Sequence, residues 1–288
     1  MKTFSFTALG CKVNQYEIRA MAVQLQAYGL QPLAFGEKVD LCIINTCCVT
    51  GESEAKSRKI ISRARRTSPD AVIVITGCYA QIAQEIPRHV DLMVPNTEKD
   101  RCVEMIVAYL AKRNIYLKKE ENIHYQPLLH DRTRATVKVQ DGCDSFCSYC
   151  IIPYARGMLR SKPIEEAVAE IEQLVACGFK EVVLTGIHLT KYGVDFGGKP
   201  ELSDLIERVD AIEGLERIRL GSMEPGYLNR KTLERLAKTK KLCAHFHISL
   251  QSGCEATLTR MNRNYTPIQY AEQLDLVREY FPNCAVTT

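Results

Sequence analysis

Cys143, Cys147 and Cys150 stand in a C-x3-C-x2-C spacing, a pattern of thiols suited to holding a metal cluster. Three thiolates within eight residues can wrap one face of a 4Fe-4S cube, whereas four would close it. The remaining iron then stays open to chelate the amino and carboxylate groups of a methionine moiety, which places the sulfonium of S-adenosylmethionine for one-electron cleavage. The same triplet could instead be a zinc site, which needs a fourth ligand such as His or Cys, or a set of buried thiols acting as small hydrophobes. Its place directly after an expected strand, with a β/α array downstream, favours the cluster.

A second set, Cys11, Cys47 and Cys78, is scattered along the chain, yet each lies at the carboxyl end of an expected strand. A parallel sheet brings such ends to one edge, where doubly wound folds bind ligands and nearby helix N-termini favour thiolate over thiol. Any one of the three alone reads as a core cysteine; three at equivalent positions point to a second cluster. Cys48 adjoins Cys47 and, on an extended strand, points to the opposite side, so one of the two is a ligand. Cys42, Cys102, Cys177, Cys243, Cys254 and Cys284 lie within or beside apolar patterns and read as packing residues.

The elements that must position these thiols follow from periodicity. Apolar runs at 4–9, 41–45, 71–76 and 91–94 read as strands, and the stretches 17–28, 53–66 and 100–112 as helices, with Gly29 stopping the first. This alternation predicts a doubly wound parallel-sheet domain over residues 1–113. A charged, irregular stretch, 114–134, reads as a linker. A second α/β domain over 135–288 has expected strands at 136–140, 181–185, 217–221, 245–250 and 283–287 and helices at 164–176, 202–212, 231–237 and 268–280. Pro163 and Pro267 fit first-turn positions and Gly178 a helix end. Repeated β/α units predict a barrel, here partial and truncated at its fifth strand, so the chain reads as part of a longer protein.

Composition narrows the setting. The chain has 288 residues, 46% of them hydrophobic and 25% charged, which is enough to bury ordinary cores. No apolar run approaches the ~18 residues of a membrane helix, and the start lacks a signal-type apolar region, so no membrane role is expected and the cytoplasm is the expected compartment. Thirteen cysteines in a reducing compartment point to metal or redox chemistry rather than disulfides. A net charge of +4 is compatible with an RNA partner without requiring one.

The segment Asp141-Gly142-Cys143 through Cys150-Ile151-Ile152-Pro153-Tyr154-Ala155-Arg156-Gly157, followed by Arg160-Ser161, resembles the radical S-adenosylmethionine methylthiotransferase family. Leu9-Gly10-Cys11, Asn45-Thr46-Cys47 and Gly77-Cys78-Tyr79-Ala80-Gln81 each resemble a motif of the same family, so the likeness spans the chain. It implies an N-terminal domain whose Cys11, Cys47 and Cys78 carry an auxiliary 4Fe-4S cluster, and a radical-SAM barrel whose Cys143, Cys147 and Cys150 hold the catalytic one. It also selects Cys47 over Cys48.

In this family the cofactor lies across the top of the barrel. The resemblance therefore implies contacts from Tyr149 near the adenine, Gly186 at the methionine amino group and Gln251 at the ribose, with Ser222, Glu224 and His247 as further strand-end candidates. A glycine after a strand is also a common turn and a histidine in a strand a common core residue. Arg156, Arg160 and Lys162 could meet a phosphate or carboxylate or be solvated; Arg63, Arg65 and Arg66 read as a solvated helix face.

The implied reaction is radical sulfur insertion. Cleavage of the cofactor gives a 5′-deoxyadenosyl radical able to break a C–H bond that no side-chain base at neutral pH could open. The second cluster would hold a sulfur methylated by a second cofactor molecule. The run Leu9-Gly10-Cys11-Lys12-Val13-Asn14-Gln15-Tyr16-Glu17 resembles members acting on N6-threonylcarbamoyladenosine beside the tRNA anticodon. Members acting on isopentenyladenosine usually carry Gln-Met at 12–13, and those acting on a ribosomal-protein aspartate Pro-Lys. The implied partners are the tRNA anticodon stem-loop and a low-potential donor such as flavodoxin or ferredoxin. Members of the family carry a C-terminal RNA-binding β-barrel that this sequence lacks.

Overall fold

The computed structural model describes residues 1–119 and 133–288. The chain divides into two compact units, Met1–Leu129 with Tyr154–Gly157, and His130–Pro153 with Met158–Thr288. The linker expected over 114–134 lies largely outside the described residues; Ile115 and Leu117, at its start, pack against the core of the first unit.

In the first unit the elements run β1 (Thr3–Ala8), α1 (Lys12–Gln26), β2 (Gln31–Leu33), β3 (Leu41–Thr46), α2 (Gly51–Thr67), β4 (Val72–Gly77), α3 (Cys78–Ile82), β5 (Leu92–Met93) and, after a 3-10 turn, α4 (Cys102–Ala111). The strands form one parallel sheet in the order β2-β1-β3-β4-β5. The chain winds outward from β1 to one side and from β3 to the other, so the switch point lies between them. β3 and β4 are buried along their whole length, and alternate residues feed two cores. Leu41, Ile43, Val72 and Val74 pack with Ile18, Leu25, Ile106 and Leu110. Cys42, Ile44, Ile73 and Ile75 pack with Ile61 and Ala64.

α1 begins five residues before the expected position, at Lys12 rather than residue 17, because its first turn buries the polar Asn14 and Glu17 and so lacks an apolar stripe. α2 starts at Gly51, two residues ahead of the expected 53, because Thr50 caps it: Thr50 Oγ1 accepts from Ser53 N at 3.1 Å, with Glu52 and Glu54 in the first turn and Arg65 and Arg66 in the last.

In the second unit the elements are β6 (Ala135–Lys138), β7 (Gln140–Asp141), α5 (Ile152–Arg156, which ends in the first unit), β8 (Arg160–Ser161), α6 (Ile164–Ala176), β9 (Glu181–Thr185), α7 (Leu202–Asp210), β10 (Arg217–Leu220), α8 (Arg230–Leu236), β11 (His245–His247), α9 (Glu255–Arg260), α10 (Pro267–Tyr280) and β12 (Ala285–Thr287). β10, β9 and β6 form a parallel sheet, and β11 pairs with β12, also in parallel. Single parallel bridges, Ile218 with Leu242 and Met223 with Ile248, carry the array from β10 towards β11. Val137, Leu184, Ile218, Leu220 and Phe246 meet Ile171, Leu205, Ile206 and Leu233 from the helices in one core. Pro267 opens α10 behind a Thr266–Gln269 capping box, whereas Pro163 is the residue just ahead of α6. Among the described residues no helix is long and apolar enough to cross a membrane.

Candidate functional site

The first unit brings Cys11, Cys47 and Cys78 to the carboxyl edge of its sheet, two of them at the switch point. Cys11 is the residue just ahead of α1, Cys47 follows β3, and Cys78 opens α3. Asn14 ties the strand ends together, its Nδ2 donating to Leu9 O at 2.8 Å and Thr46 O at 3.1 Å. Ser57 holds the Cys47 backbone, accepting from its N at 3.2 Å and donating to its O at 2.9 Å.

Two glycines allow this convergence. Gly10 has φ +87°, and a Cβ there would stand 2.8 Å from Cys47 Sγ; Gly77 has φ +94°, and a Cβ there would stand 2.2 Å from Asn45 Oδ1 and 2.4 Å from Thr46 O. Burial, helped by the neighbouring Cys11 and Cys47, pushes the Cys78 thiol up against the opposing charge of Arg156.

The segment after Thr46 is no longer a strand, and Cys48 lies near enough to Cys78 and Cys47 that both add to the burial that raises its thiol to about 12. Arg156 is buried rather than solvated, bonded to Glu17 and Asn14. Arg65 is likewise engaged, with Asp91 and the carbonyls of Pro69, Ala71 and His89. Arg63 lies over Phe35, and Arg66 is exposed. Cys254, expected in packing, is exposed.

In the second unit Cys143, Cys147 and Cys150 lie half-buried on the loop after β7. Gln140 shapes the start of that loop, donating to Asp141 O at 2.7 Å and Gly142 O at 3.0 Å and accepting from His188 N at 2.7 Å. Its far side is laced to the segment after α9. Ser148 N donates to Met261 O at 3.1 Å, Ser148 Oγ to Arg260 O at 2.7 Å, and Asn262 Nδ2 to Phe146 O at 3.1 Å.

Arg263 follows, and sequence reasoning missed it. Its guanidinium donates to Cys147 Sγ at 3.3 Å, pairs with Glu224 and lies 5.2 Å from the Tyr265 ring. The one signal for it was a cation beside an aromatic in a loop past the fourth strand. Burial raises the Cys150 thiol; the Ile152 N–H and Arg263 oppose this, while Cys147 and Cys143 add to it. His188 Nδ1 lies 3.8 Å from Cys143 Sγ, and burial pushes its imidazole down to about 4, so it is neutral at pH 7.

Cys147, His188, Glu224, Asn262, Arg263 and Tyr265 line a cavity of about 280 Å³. Of the expected cofactor contacts, Glu224 is among its lining residues, and Tyr149, Gly186, Ser222, His247 and Gln251 are not. Tyr149 is exposed but feels Arg263, Cys147 and Glu224. Gly186 leaves no room for a Cβ, which would meet the Gln140 side chain at 2.9 Å. Ser222 is exposed past β10, Gln251 is exposed with φ +64°, and His247 Nδ1 lies 2.9 Å from Thr287 Oγ1. Arg160 pairs with Asp141 at 3.6 Å and Lys162 with Glu170 at 2.5 Å.

The spacing of the thiols tests which metal they suit. A zinc ion with Zn–S bonds of about 2.3 Å needs its sulfurs within roughly 4 Å of one another. Among the described residues the group whose donor atoms all lie within 4.8 Å is Cys143, Asp144 and His188, and Asp144 is taken by Lys191. Neither cysteine triplet is therefore drawn in tightly enough for a single tetrahedral ion, and each offers thiols alone as donors.

Comparison with known proteins adds the lineage. The profile of uncharacterized protein family UPF0004 matches residues 3–94, and that of the radical SAM superfamily matches residues 137–288. The threonylcarbamoyladenosine tRNA methylthiotransferase MtaB of Bacillus subtilis (strain 168) is 39% identical over 100% of this chain and 66% of its own length. The protein of the same name from Aquifex aeolicus (strain VF5) is 37% identical over 99% of this chain and 71% of its own. A tRNA-2-methylthio-N(6)-dimethylallyladenosine synthase of Desulforamulus reducens is 33% identical over 99% of this chain and 66% of its own. The chain thus spans about two thirds of the length of these relatives. In fold it resembles the radical S-adenosylmethionine methyltransferase TsrM of Kitasatospora setae, with a TM-score of 0.68 and 14% identity over 99% of this chain and 67% of the other. Aligned over nearly its whole length with methylthiotransferases at more than a third identity, the chain belongs to the radical SAM methylthiotransferase family.

Proposed function

We propose that this chain is the catalytic part of a tRNA methylthiotransferase that places a methylthio group at C2 of N6-threonylcarbamoyladenosine beside the anticodon. The observation that carries the reading is the pair of thiol triplets, one on the loop after β7 and one at the carboxyl edge of a doubly wound sheet. The family uses S-adenosylmethionine and a 4Fe-4S cluster, which together supply a 5′-deoxyadenosyl radical when both are bound. Cys143, Cys147 and Cys150 would hold that cluster and Cys11, Cys47 and Cys78 a second one.

Within the second unit the chain's own groups would set the cofactor's place. Arg263 and Glu224 offer a paired cation and anion to the zwitterionic methionine end. His188, neutral, adds no charge beside Cys143. Tyr149 offers a ring to the adenine, Gly186 a close backbone approach, and Ser222, His247 and Gln251 further polar contacts. Lys12 and Val13 favour the threonylcarbamoyl substrate over isopentenyladenosine or a ribosomal-protein aspartate. We further propose that the domains are 1–113 and 135–288 joined by 114–134, and that β6, β9, β10, β11 and β12 are five strands of a partial β/α barrel. Two molecules of S-adenosylmethionine per turnover, a flavodoxin or ferredoxin as donor, and a cytoplasmic setting complete the reading.

Two measurements test it. Anaerobic reconstitution should give about eight irons per chain, two cubes of four, with half lost on changing Cys143, Cys147 and Cys150 to Ala; a colourless, zinc-holding protein overturns the reading. Mass spectrometry of tRNA from cells lacking the full-length gene should show 2-methylthio-N6-threonylcarbamoyladenosine gone. Its persistence, with no paralogue present, refutes the substrate.

A further inference from the structure

We infer that Arg156 is a positioning residue for the first unit's thiols, a buried cation that braces the shell around them through Asn14 and offsets the negative charge gathered by Cys11, Cys47 and Cys78. The inference rests on the second-cluster reading above.

Arg156 lies on the segment Tyr154–Gly157 of the first unit, and its side chain is 0% exposed. An arginine stays protonated wherever it is placed, and burying its charge costs several kcal/mol unless partners meet it. Part of its planar fork goes to one edge, at 3.1 Å from Glu17 Oε1 and 3.4 Å from Glu17 Oε2, with a further bond to Asn14 Oδ1. Glu17 also accepts from Lys99 at 2.5 Å. The same Asn14 Oδ1 stands 3.9 Å from the Cys11 thiol, and Asn14 Nδ2 donates at 3.1 Å to Thr46 O, the carbonyl just ahead of Cys47, so the guanidinium is bonded into the shell that seats both cysteines. A lysine at this place has a single point of charge and could not serve both edges of the carboxylate and the amide together.

An independent observation ties this segment to the Cys78 thiol. Asn96, 2% exposed, directs its Nδ2 to Cys78 Sγ at 3.8 Å and to Ala155 O at 2.7 Å, which fixes the peptide carrying Arg156. Around the cysteine ends, Asn96 Oδ1, Asn45 Oδ1 and Thr76 Oγ1 are buried without a hydrogen-bond partner. Buried polar atoms left unmet are rare in folded proteins, and several around one set of thiols mark a place built for a polar occupant rather than for packing.

A cation next to a cluster favours its more negative, reduced state. The test uses the full chain carrying Cys143→Ala, Cys147→Ala and Cys150→Ala, so that any remaining iron belongs to Cys11, Cys47 and Cys78. Its reduction potential is followed by electron paramagnetic resonance in an anaerobic redox titration.

Arg156→Gln should lower the potential by at least a tenfold change in the reduction equilibrium, about 59 mV for one electron. Glu17→Gln, which removes the opposing charge and leaves Arg156 in place, should raise it. A role confined to packing predicts no such pair of opposite shifts. If Arg156→Gln fails to fold by circular dichroism, Glu17→Gln alone decides, and an unchanged or lowered potential overturns the inference. Iron absent from the triple variant itself refutes the second cluster and the inference with it. Iron present with potentials unmoved refutes the inference alone.

Discussion

Replacing Gly77 by Ala tests how the fold delivers Cys78. Gly77 closes β4, pairs with Thr46 of β3, and immediately precedes the cysteine. Its φ of +94° costs an L-residue about 1 kcal/mol of strain. The new Cβ would also lie 2.4 Å from Thr46 O and 2.8 Å from Thr46 N, both backbone atoms of the neighbouring strand, which cannot rotate away. Forcing that ladder apart adds about 2 kcal/mol, within the range for overpacking, for a total of about 3 kcal/mol.

Gly36 provides the control in the same unit. Its φ is +111°, but the nearest atom to a Cβ is the flexible guanidinium of Arg63 at 3.1 Å, so Gly36→Ala should cost only the strain of about 1 kcal/mol. Hydrogen exchange of the β3 and β4 amides in the metal-free full chain reads the difference. Exchange should accelerate about 150-fold for Gly77→Ala and about fivefold for Gly36→Ala. Equal accelerations would refute the reasoning, because strain alone would then account for both. Gly77→Ala should also lose the iron bound by Cys11, Cys47 and Cys78, since Cys78 moves with the strand end.

Other outcomes follow from single contacts. Arg263→Ala should weaken S-adenosylmethionine binding at least tenfold in anaerobic calorimetry, the scale of one charged hydrogen bond; an unchanged Kd removes Arg263 from the site. Glu181 is pushed up by burial, but bonds from Arg217 at 2.9 Å and Arg219 at 3.1 Å carry its carboxyl net below the ordinary glutamate value of 4.5. A depressed carboxylate stabilises the fold above its unfolded pKa and loses that contribution as pH falls through its folded value. The gap in urea midpoint between the native chain and Glu181→Gln should therefore be full at neutral pH and close on acidification below 4.5; a gap independent of pH contradicts the assignment.

Much of the fold was legible because apolar periodicity is strong where burial is complete. The runs at 41–45 and 71–76 became the two central strands of the first sheet, and α6 and α7 lie where their stripes placed them. Legibility failed where polar residues are buried. α1 was expected to start at residue 17 because Asn14 and Glu17 point inward to Arg156, Lys99 and Asn45 and so break the stripe. The short α3, α5 and α9 have too few residues to display a period. Cys47 and Cys48 both follow the end of β3 at Thr46, where the alternation of a strand no longer fixes the side each thiol faces.

The sequence by itself determined which thiols are the candidate donors and their order along the chain. Thiol spacing and strand-end position are local properties, and Cys143, Cys147 and Cys150 are neighbours in any fold that leaves their loop free. Only the tertiary structure decided what surrounds the thiols. Arg263 arrives beside Cys147 from 116 residues away, and Arg156 reaches Glu17 across 139. A charge in a sequence carries no sign of whether it will face water or a buried thiol; that depends on which distant backbone closes over it.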